Sequence, residues 1–312
     1  KFKLKDFLLN MKILITGSNG QLGIELLNQI NLFNKKESFE IIKPLRNDLD
    51  LSDNEKCEDF VRKSAPDLLI NLAAYTAVEK AEYNVDYARK VNALSLKSFA
   101  KIIKEKGGHI IQISTDYVFD GEQNYPYKTS QPRKPLGIYG KTKCEGEIYL
   151  ENILCNTKQF TIIRTSWLVG PWRSNFVKTI LTKLKDDDDK ESLKIVSDQV
   201  GCITTTESLG KLILLLINKK FHNEVLPSHL HWCSDGEASW YQIALSIKKI
   251  SRQLNYINSE RSINPITSNE YKSSCPRPKY SVLDNKETEK LFNIKSNHWE
   301  KDLKKLIKKI KK

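Results

Sequence analysis

Met11-Lys12-Ile13-Leu14-Ile15-Thr16-Gly17-Ser18-Asn19-Gly20-Gln21-Leu22-Gly23 is the stretch whose reading decides the fold. Its first six residues are a short, mainly apolar run of the kind that forms a buried strand, and the run ends in glycine. Gly17, Gly20 and Gly23 then recur every third residue, a G-x-x-G-x-x-G variant of the loop that receives a dinucleotide pyrophosphate. In such a loop Gly17 permits the tight turn, Gly20 lets the backbone approach phosphate, and Gly23 lets the next helix close on the strand. Ile24, Leu26, Leu27 and Ile30 continue at helical spacing, so phosphates would face a helix N-terminus. Asn19, Gln21 and Leu22 join the glycines as candidate cofactor contacts. A glycine pattern alone is equally at home in a plain turn; its place between a strand and a helix gives it weight.

Outward from this loop the chain keeps a strand–helix rhythm. Phe39 to Leu45 reads as a second strand, and Arg46 stands at its end, where an NAD-specific site places an acidic residue against the ribose hydroxyls. Arg46 suits a 2′-phosphate instead, which leans toward NADPH or use of both cofactors. Asp50 and Leu51 follow, either close to the adenine or capping a helix over Asn54 to Lys63. The strand within Pro66 to Tyr75 ends in Ala73-Ala74-Tyr75, small enough for a dinucleotide to lie against the backbone. A helix over Asn84 to Lys104 precedes the strand Ile110 to Ile113, which runs into Ser114-Thr115-Asp116-Tyr117. Phe160 to Arg164 is a further strand, and Trp167 on the loop after it is a candidate sugar or base contact or a packing residue. The alternation from residue 11 to about 165 predicts an α/β fold, a doubly wound parallel Rossmann sheet. Residues 166–312 read as a smaller C-terminal α/β substrate-binding region, some of whose segments return to the first domain. Residues 1–10 precede the only Met, Met11, and read as an upstream extension.

Composition narrows the field. The chain has 312 residues, 39% of them hydrophobic, enough for a substantial core. Its longest apolar run, Leu212 to Ile217, is too short to span a bilayer, and no signal peptide is visible, so no membrane role is expected. The six cysteines show no C-x-x-C spacing and read as reduced thiols of a cytoplasmic protein rather than zinc ligands. The net charge is +13, but residues 1–6 contribute +2 and residues 300–312 contribute +5. Over half the excess therefore sits at the two ends, without a basic–aromatic groove, and no nucleic-acid partner is expected. The acidic run Asp186 to Asp189 reads as a solvated turn, and His229 and His231 as packing or surface residues.

The chemistry centres on Thr115, Tyr139 and Lys143. Tyr139 and Lys143 are four apart at the start of a predicted helix, which puts phenol and ammonium on one face. A cation beside a phenol favours phenolate and would lower its pKa. That arrangement suits a proton donor to a carbonyl oxygen that receives a hydride. The same spacing is common on ordinary helix surfaces, so its meaning depends on the nucleotide site around it.

Several blocks, in order from residue 11 almost to the end, give the chain a family resemblance. They are 11–26, 71–82 (NLAAYTAVEKAE), 113–121 (ISTDYVFDG), 139–143 (YGKTK), 164–167 (RTSW), 175–179 (NFVKT), 197–199 (SDQ) and 277–284 (RPKYSVLD). The chain resembles the dTDP-4-dehydrorhamnose reductases of the extended short-chain dehydrogenase/reductase superfamily. The resemblance implies Thr115, Tyr139 and Lys143 as the catalytic trio. It places NADPH or NADH along Gly17 to Leu22, Ala73 to Tyr75 and the Tyr–Lys pair, and a dTDP-sugar near Thr115, Asp116, Arg164 and Trp167. It also implies a homodimer, with Mg²⁺ held by three glutamates. Glu25 and Glu207 match two of them; where the third belongs, inside the last helix, the chain offers Lys308 and Lys309, with Glu300 a displaced substitute. The loop Gly170 to Ser174 departs from the family pattern too. The competing readings are another sugar-nucleotide reductase, an epimerase or dehydratase, and a non-enzymatic regulatory subunit of the same fold. A dehydratase needs an acidic pair after the threonine, and here Tyr117 takes the second place.

Overall fold

A computed structural model describes residues 11–33, 39–186 and 191–312 of the chain. The upstream extension and most of the acidic run (187–189) lie outside the described residues. Six parallel strands make the main sheet: β1 (Met11–Thr16), β2 (Phe39–Ile42), β3 (Leu68–Asn71), β4 (His109–Thr115), β5 (Phe160–Thr165) and a sixth strand, His229–His231. Their spatial order is sixth–β5–β4–β3–β1–β2, with β1 pairing β3 on one side and β2 on the other.

The period-two rule sorts the strand residues onto two covered faces. Ile13, Ile15, Leu68, Ile70, Ile111 and Ile163 pack with Leu22, Leu26 and Ile30 of the helix α1 (Gln21–Phe33), and with Leu209 to Ile217. Leu14, Leu69, Ile110 and Ile162 face the other way, onto Cys57, Val61, Leu96, Phe99, Leu150 and Leu154. Ile13, Leu14 and Ile15 are fully buried, each stabilising by about 1.5–3 kcal/mol relative to exposure. Burial on both faces explains why these strands read as continuous apolar runs.

The strands stop where pairing stops. Phe39–Ile42 is shorter than the expected 39–45, because Pro44 has no N–H to donate to a ladder. β3 ends at Asn71 because its neighbour β1 leaves the sheet at Gly17, whose φ of +67° and 2.7 Å clearance from the Ala73 nitrogen for an added Cβ tolerate only glycine. The helix Asn54–Ser64 starts at Asp53, whose carboxylate accepts from the Lys56 N–H at 3.1 Å.

After β5 the chain builds a second unit from the helices Phe176–Lys185, Trp240–Gln253 and Trp299–Lys311 and a parallel strand pair, Leu193–Val196 with Ile263–Ile266. Its core includes Val177, Ile180, Leu184, Ile243, Ile247, Leu303 and Ile307. Two of its segments return to the first unit: the helix Thr206–Phe221 packs on α1, and His229–His231 extends the main sheet beside β5. Among the described residues no helix is long and apolar enough to cross a membrane.

Candidate active site

The C-terminal ends of β1, β3, β4 and β5 open into one cleft, as expected of a doubly wound sheet. A row of buried polar side chains ties these ends together: the Thr16 hydroxyl meets Asn71, the Asn71 amide donates to Gln112 at 2.7 Å, and Gln112 donates to the Ile113 carbonyl. The cleft has a volume of about 840 Å³, near the top of the range of roughly 300–1,000 Å³ for small-molecule sites. Every expected cofactor residue lines it: Gly17, Asn19, Gly20, Gln21, Leu22 and Gly23, Arg46, Asp50 and Leu51, Ala73, Ala74 and Tyr75, and Tyr139 with Lys143. These are the features a dinucleotide needs, a glycine turn leading into a long helix beside small strand-end residues. Arg46 is exposed at the cleft's edge, where its guanidinium donates to Asp50 at 3.3 Å and to the Tyr87 hydroxyl.

Asn92 is a positioning residue the sequence reading missed. It lies in a π-helical turn, Lys90–Leu94, that continues the helix Val85–Arg89, a distortion common near functional sites. Its buried amide spans the Tyr75 backbone, accepting from the N–H at 2.9 Å and donating to the carbonyl at 3.2 Å, and donates to Thr142 at 3.1 Å. One side chain thus holds the cofactor-side loop against the helix of Tyr139.

That helix, Ile138–Leu154, begins against the turn after β4. An added Cβ at Gly140 would lie 2.2 Å from the Tyr117 carbonyl, so glycine is needed for the close approach that brings Tyr139 to Thr115. The Thr115 hydroxyl stands beside the phenol and donates to the Asp116 carboxylate at 3.0 Å. Tyr139 is half-buried as a residue, but the cleft walls crowd its hydroxyl, and that burial pushes the phenol up to about 12. The expectation that Lys143 lowers this pKa is overturned. The Lys143 ammonium donates to the Ile113 carbonyl at 2.7 Å, and its own burial brings it down to about 8. Burial likewise raises the Asp116 carboxyl to about 6, with the Ser281 hydroxyl beside it, and its Oδ2 has no hydrogen-bond partner within the protein.

Trp167 borders the same cleft and holds φ +44°, a left-handed conformation that a bulky residue keeps only under constraint. The constraint is visible. Its ring stacks on Trp240 at 3.7 Å, and the neighbouring Ser166 donates to the Cys202 carbonyl at 2.6 Å. Trp240 comes from the second unit, 73 positions away by the numbering, so no local pattern announces the pair. Arg173 was missed as well. It lines the cleft from the departing loop and donates to the Asn19 carbonyl at 3.1 Å.

Two sets of expected site residues fall elsewhere. Arg164 does not line the cleft; it is buried behind it, donating to Glu147 at 2.8 Å and to the Thr129 carbonyl at 3.0 Å. A guanidinium with no access to water must take internal acceptors, and the acceptors here are structural. Nor do Glu25, Glu207 and Glu300 converge. Glu25 accepts from Lys309 at 2.9 Å, Glu207 pairs with Lys211 at 2.6 Å, and Glu300 is exposed in the first turn of the last helix. Among the described residues no group of three or more His, Cys, Asp or Glu could hold a metal ion. The residues present therefore do not fit the magnesium site implied by the resemblance.

Comparison with known proteins agrees with this geometry. The family model described as the RmlD substrate binding domain matches residues 11–312. The chain is 35% identical to the Bacillus subtilis spore coat polysaccharide biosynthesis protein SpsK, over 95% of this chain and 96% of that one. The crystal structure of a Clostridium acetobutylicum dTDP-4-dehydrorhamnose reductase is 37% identical, with a TM-score of 0.85 over 97% of this chain and 100% of that one. That of a Bacillus anthracis dTDP-4-dehydrorhamnose reductase in complex with NADP is 29% identical, with a TM-score of 0.84 over 96% and 100%.

Proposed function

The chain belongs to the RmlD substrate binding domain family, and from that premise we propose that it reduces dTDP-4-dehydrorhamnose to dTDP-L-rhamnose with NADPH or NADH. The observation that carries the reading is the convergence of Thr115, Tyr139 and Lys143 on the cleft bordered by the glycine loop. When bound, the reduced nicotinamide supplies the hydride, and the chain's residues supply alignment and the proton. Tyr139 hands its phenolic proton to the sugar oxygen as negative charge develops there. Thr115 turns its single hydroxyl proton toward the same oxygen when substrate is bound. Lys143, the buried cation beside this centre, holds the nicotinamide ribose and leaves the phenol protonated until the reaction draws on it. Asp116 borders the sugar's place in the cleft beside Thr115, and Trp167, braced by Trp240, packs against the sugar nucleotide. The proposed partner is thus a dTDP-sugar, and the reading extends to a homodimer with no nucleic-acid or membrane partner. Six free cysteines support a reducing, cytoplasmic setting.

Incubation of the purified chain with the keto-sugar and each reduced cofactor tests the reading, with mass analysis of the product. A product heavier by two hydrogens is expected. Turnover only of a different keto-sugar would sink the substrate assignment, and no cofactor oxidation at all would favour a regulatory role. Arg46 decides cofactor choice: Arg46→Ala is expected to raise KM for NADPH about five- to tenfold, by loss of a charge-assisted phosphate contact, while leaving KM for NADH nearly unchanged. Equal effects on both would remove Arg46 from 2′-phosphate recognition.

A further inference from the structure

The disagreement at Glu25 has chemical content. Glu25 lies on α1, two residues beyond the glycine loop, and its carboxylate is 4% exposed. Three donors converge on it from three parts of the chain: the Lys309 ammonium at 2.9 Å, the Trp172 indole N–H at 3.1 Å and the Gln29 amide at 3.2 Å. A buried carboxylate needs a cation, and this one comes from the last helix on a tethered side chain. Glu300 cannot bring a third carboxylate: it is nine residues from Lys309 on that helix, roughly 13 Å along the axis at 1.5 Å per residue. Glu207 borders the same groove as Lys309 but is paired with Lys211.

We propose that Lys309 is a built-in cation that takes the place of a divalent ion at Glu25, making this fold metal-independent and tying its last helix to the cofactor loop. The tie runs through the loop that departs from the family pattern. Glu25 fixes Trp172; the next residue, Arg173, donates to the Asn19 carbonyl; and Asn175 donates to the Gln21 side chain at 2.8 Å. Lys309 is thus a positioning residue for the glycine loop, touching neither substrate nor cofactor.

The test follows thermal unfolding of the full chain in EDTA and in millimolar MgCl2, together with the Kd for NADPH, so that it does not depend on turnover of the keto-sugar. The native protein is expected to melt at the same temperature in both buffers, within about 1 °C, since an ion that does not bind cannot stabilise. Lys309→Glu places a carboxylate against Glu25; it is expected to melt lower in EDTA and to recover by about 3 °C or more in MgCl2, because a carboxylate cluster takes the ion. A native protein whose Tm climbs with MgCl2 overturns the proposal, as does a Lys309→Glu protein indifferent to the ion. Should Lys309→Glu fail to fold, Lys309→Met decides. It retains the stem's packing and loses the charge, and a Kd for NADPH raised roughly fivefold, regardless of MgCl2, supports the tie. An unchanged Kd overturns it.

Discussion

Tyr139→Phe is expected to lower kcat for keto-sugar reduction by about a hundred- to ten-thousandfold, the usual contribution of a positioned general acid, while KM for NADPH changes less than about twofold. The ring survives the substitution, so its edge contact with Tyr117 at 5.6 Å and its place at the head of the helix are retained. Only the phenolic hydroxyl, with its proton, disappears. Steady-state kinetics separates the two effects, and a mutant with native kcat would remove Tyr139 as proton donor. The pH profile adds an independent check. With the phenol near 12, Tyr139 remains protonated throughout the working range, so the alkaline limb of kcat/KM belongs to Lys143 and falls through about pH 8. The residual activity of Tyr139→Phe should keep that limb, because the group that titrates is still there.

The fold was legible because its signals are local. MKILIT, the glycines and the alternating runs up to Phe160–Arg164 each declare an element within a dozen residues, and burial on both faces makes the strands continuously apolar. Thr115, Tyr139 and Lys143, the proposed centre, stood out for the same reason: they sit at a strand end and a helix start, and they line one cleft. What the sequence could not convey is direction. Tyr139 and Lys143 share a helical face, yet the ammonium turns to the Ile113 carbonyl, because a buried cation seeks the nearest acceptor and the strand end supplies one.

Residues whose role depends on distant partners were misread or missed. Arg164 lies near the end of a strand that leads into the site, so proximity in sequence suggested a substrate contact; in space its side chain meets Glu147 of the Tyr139 helix. Trp240 and Asn92 gave no signal, and Arg173 only that its loop departs from the family pattern, since each acts on a segment far from its own. A departure visible in the sequence, Lys308 and Lys309 where an acidic residue belongs, did carry information: Lys309 reaches Glu25. A broken pattern proved as readable as a kept one where the replacement reverses the charge.

The largest expected loss of stability comes from Glu147, which is fully buried and was not singled out by any motif. Its carboxylate accepts from Arg164 through Nε and Nη2, from Arg133 at 3.0 Å and from the Ser114 hydroxyl. Glu147→Leu leaves the Arg164 guanidinium buried without its carboxylate and is expected to cost about 3–5 kcal/mol in thermal or urea unfolding. Arg133 suffers less, since it is partly exposed and keeps Glu151 at 2.8 Å. Adding Arg164→Met should restore part of the loss, because replacing both members of a buried pair by apolar side chains removes the stranded charge; a double variant as unstable as the sum of the singles would deny the coupling. The acid side gives the sharper test. Burial pushes the Glu147 carboxyl up, but Arg164, Ser114 and Arg133 outweigh it and hold it below its usual range. Its contribution is therefore present above the unfolded-state value of about 4.5 and is lost as pH falls through the lower folded value. The stability gap between native protein and Glu147→Leu should be widest at neutral pH and narrow below it. A gap of constant size would mean that Glu147 acts through packing alone. Because Ser114 adjoins Thr115 and Glu147 lies one turn beyond Lys143, the variant's kcat should fall with its stability at neutral pH, through loss of the bond that holds the helix of Tyr139 against the end of β4.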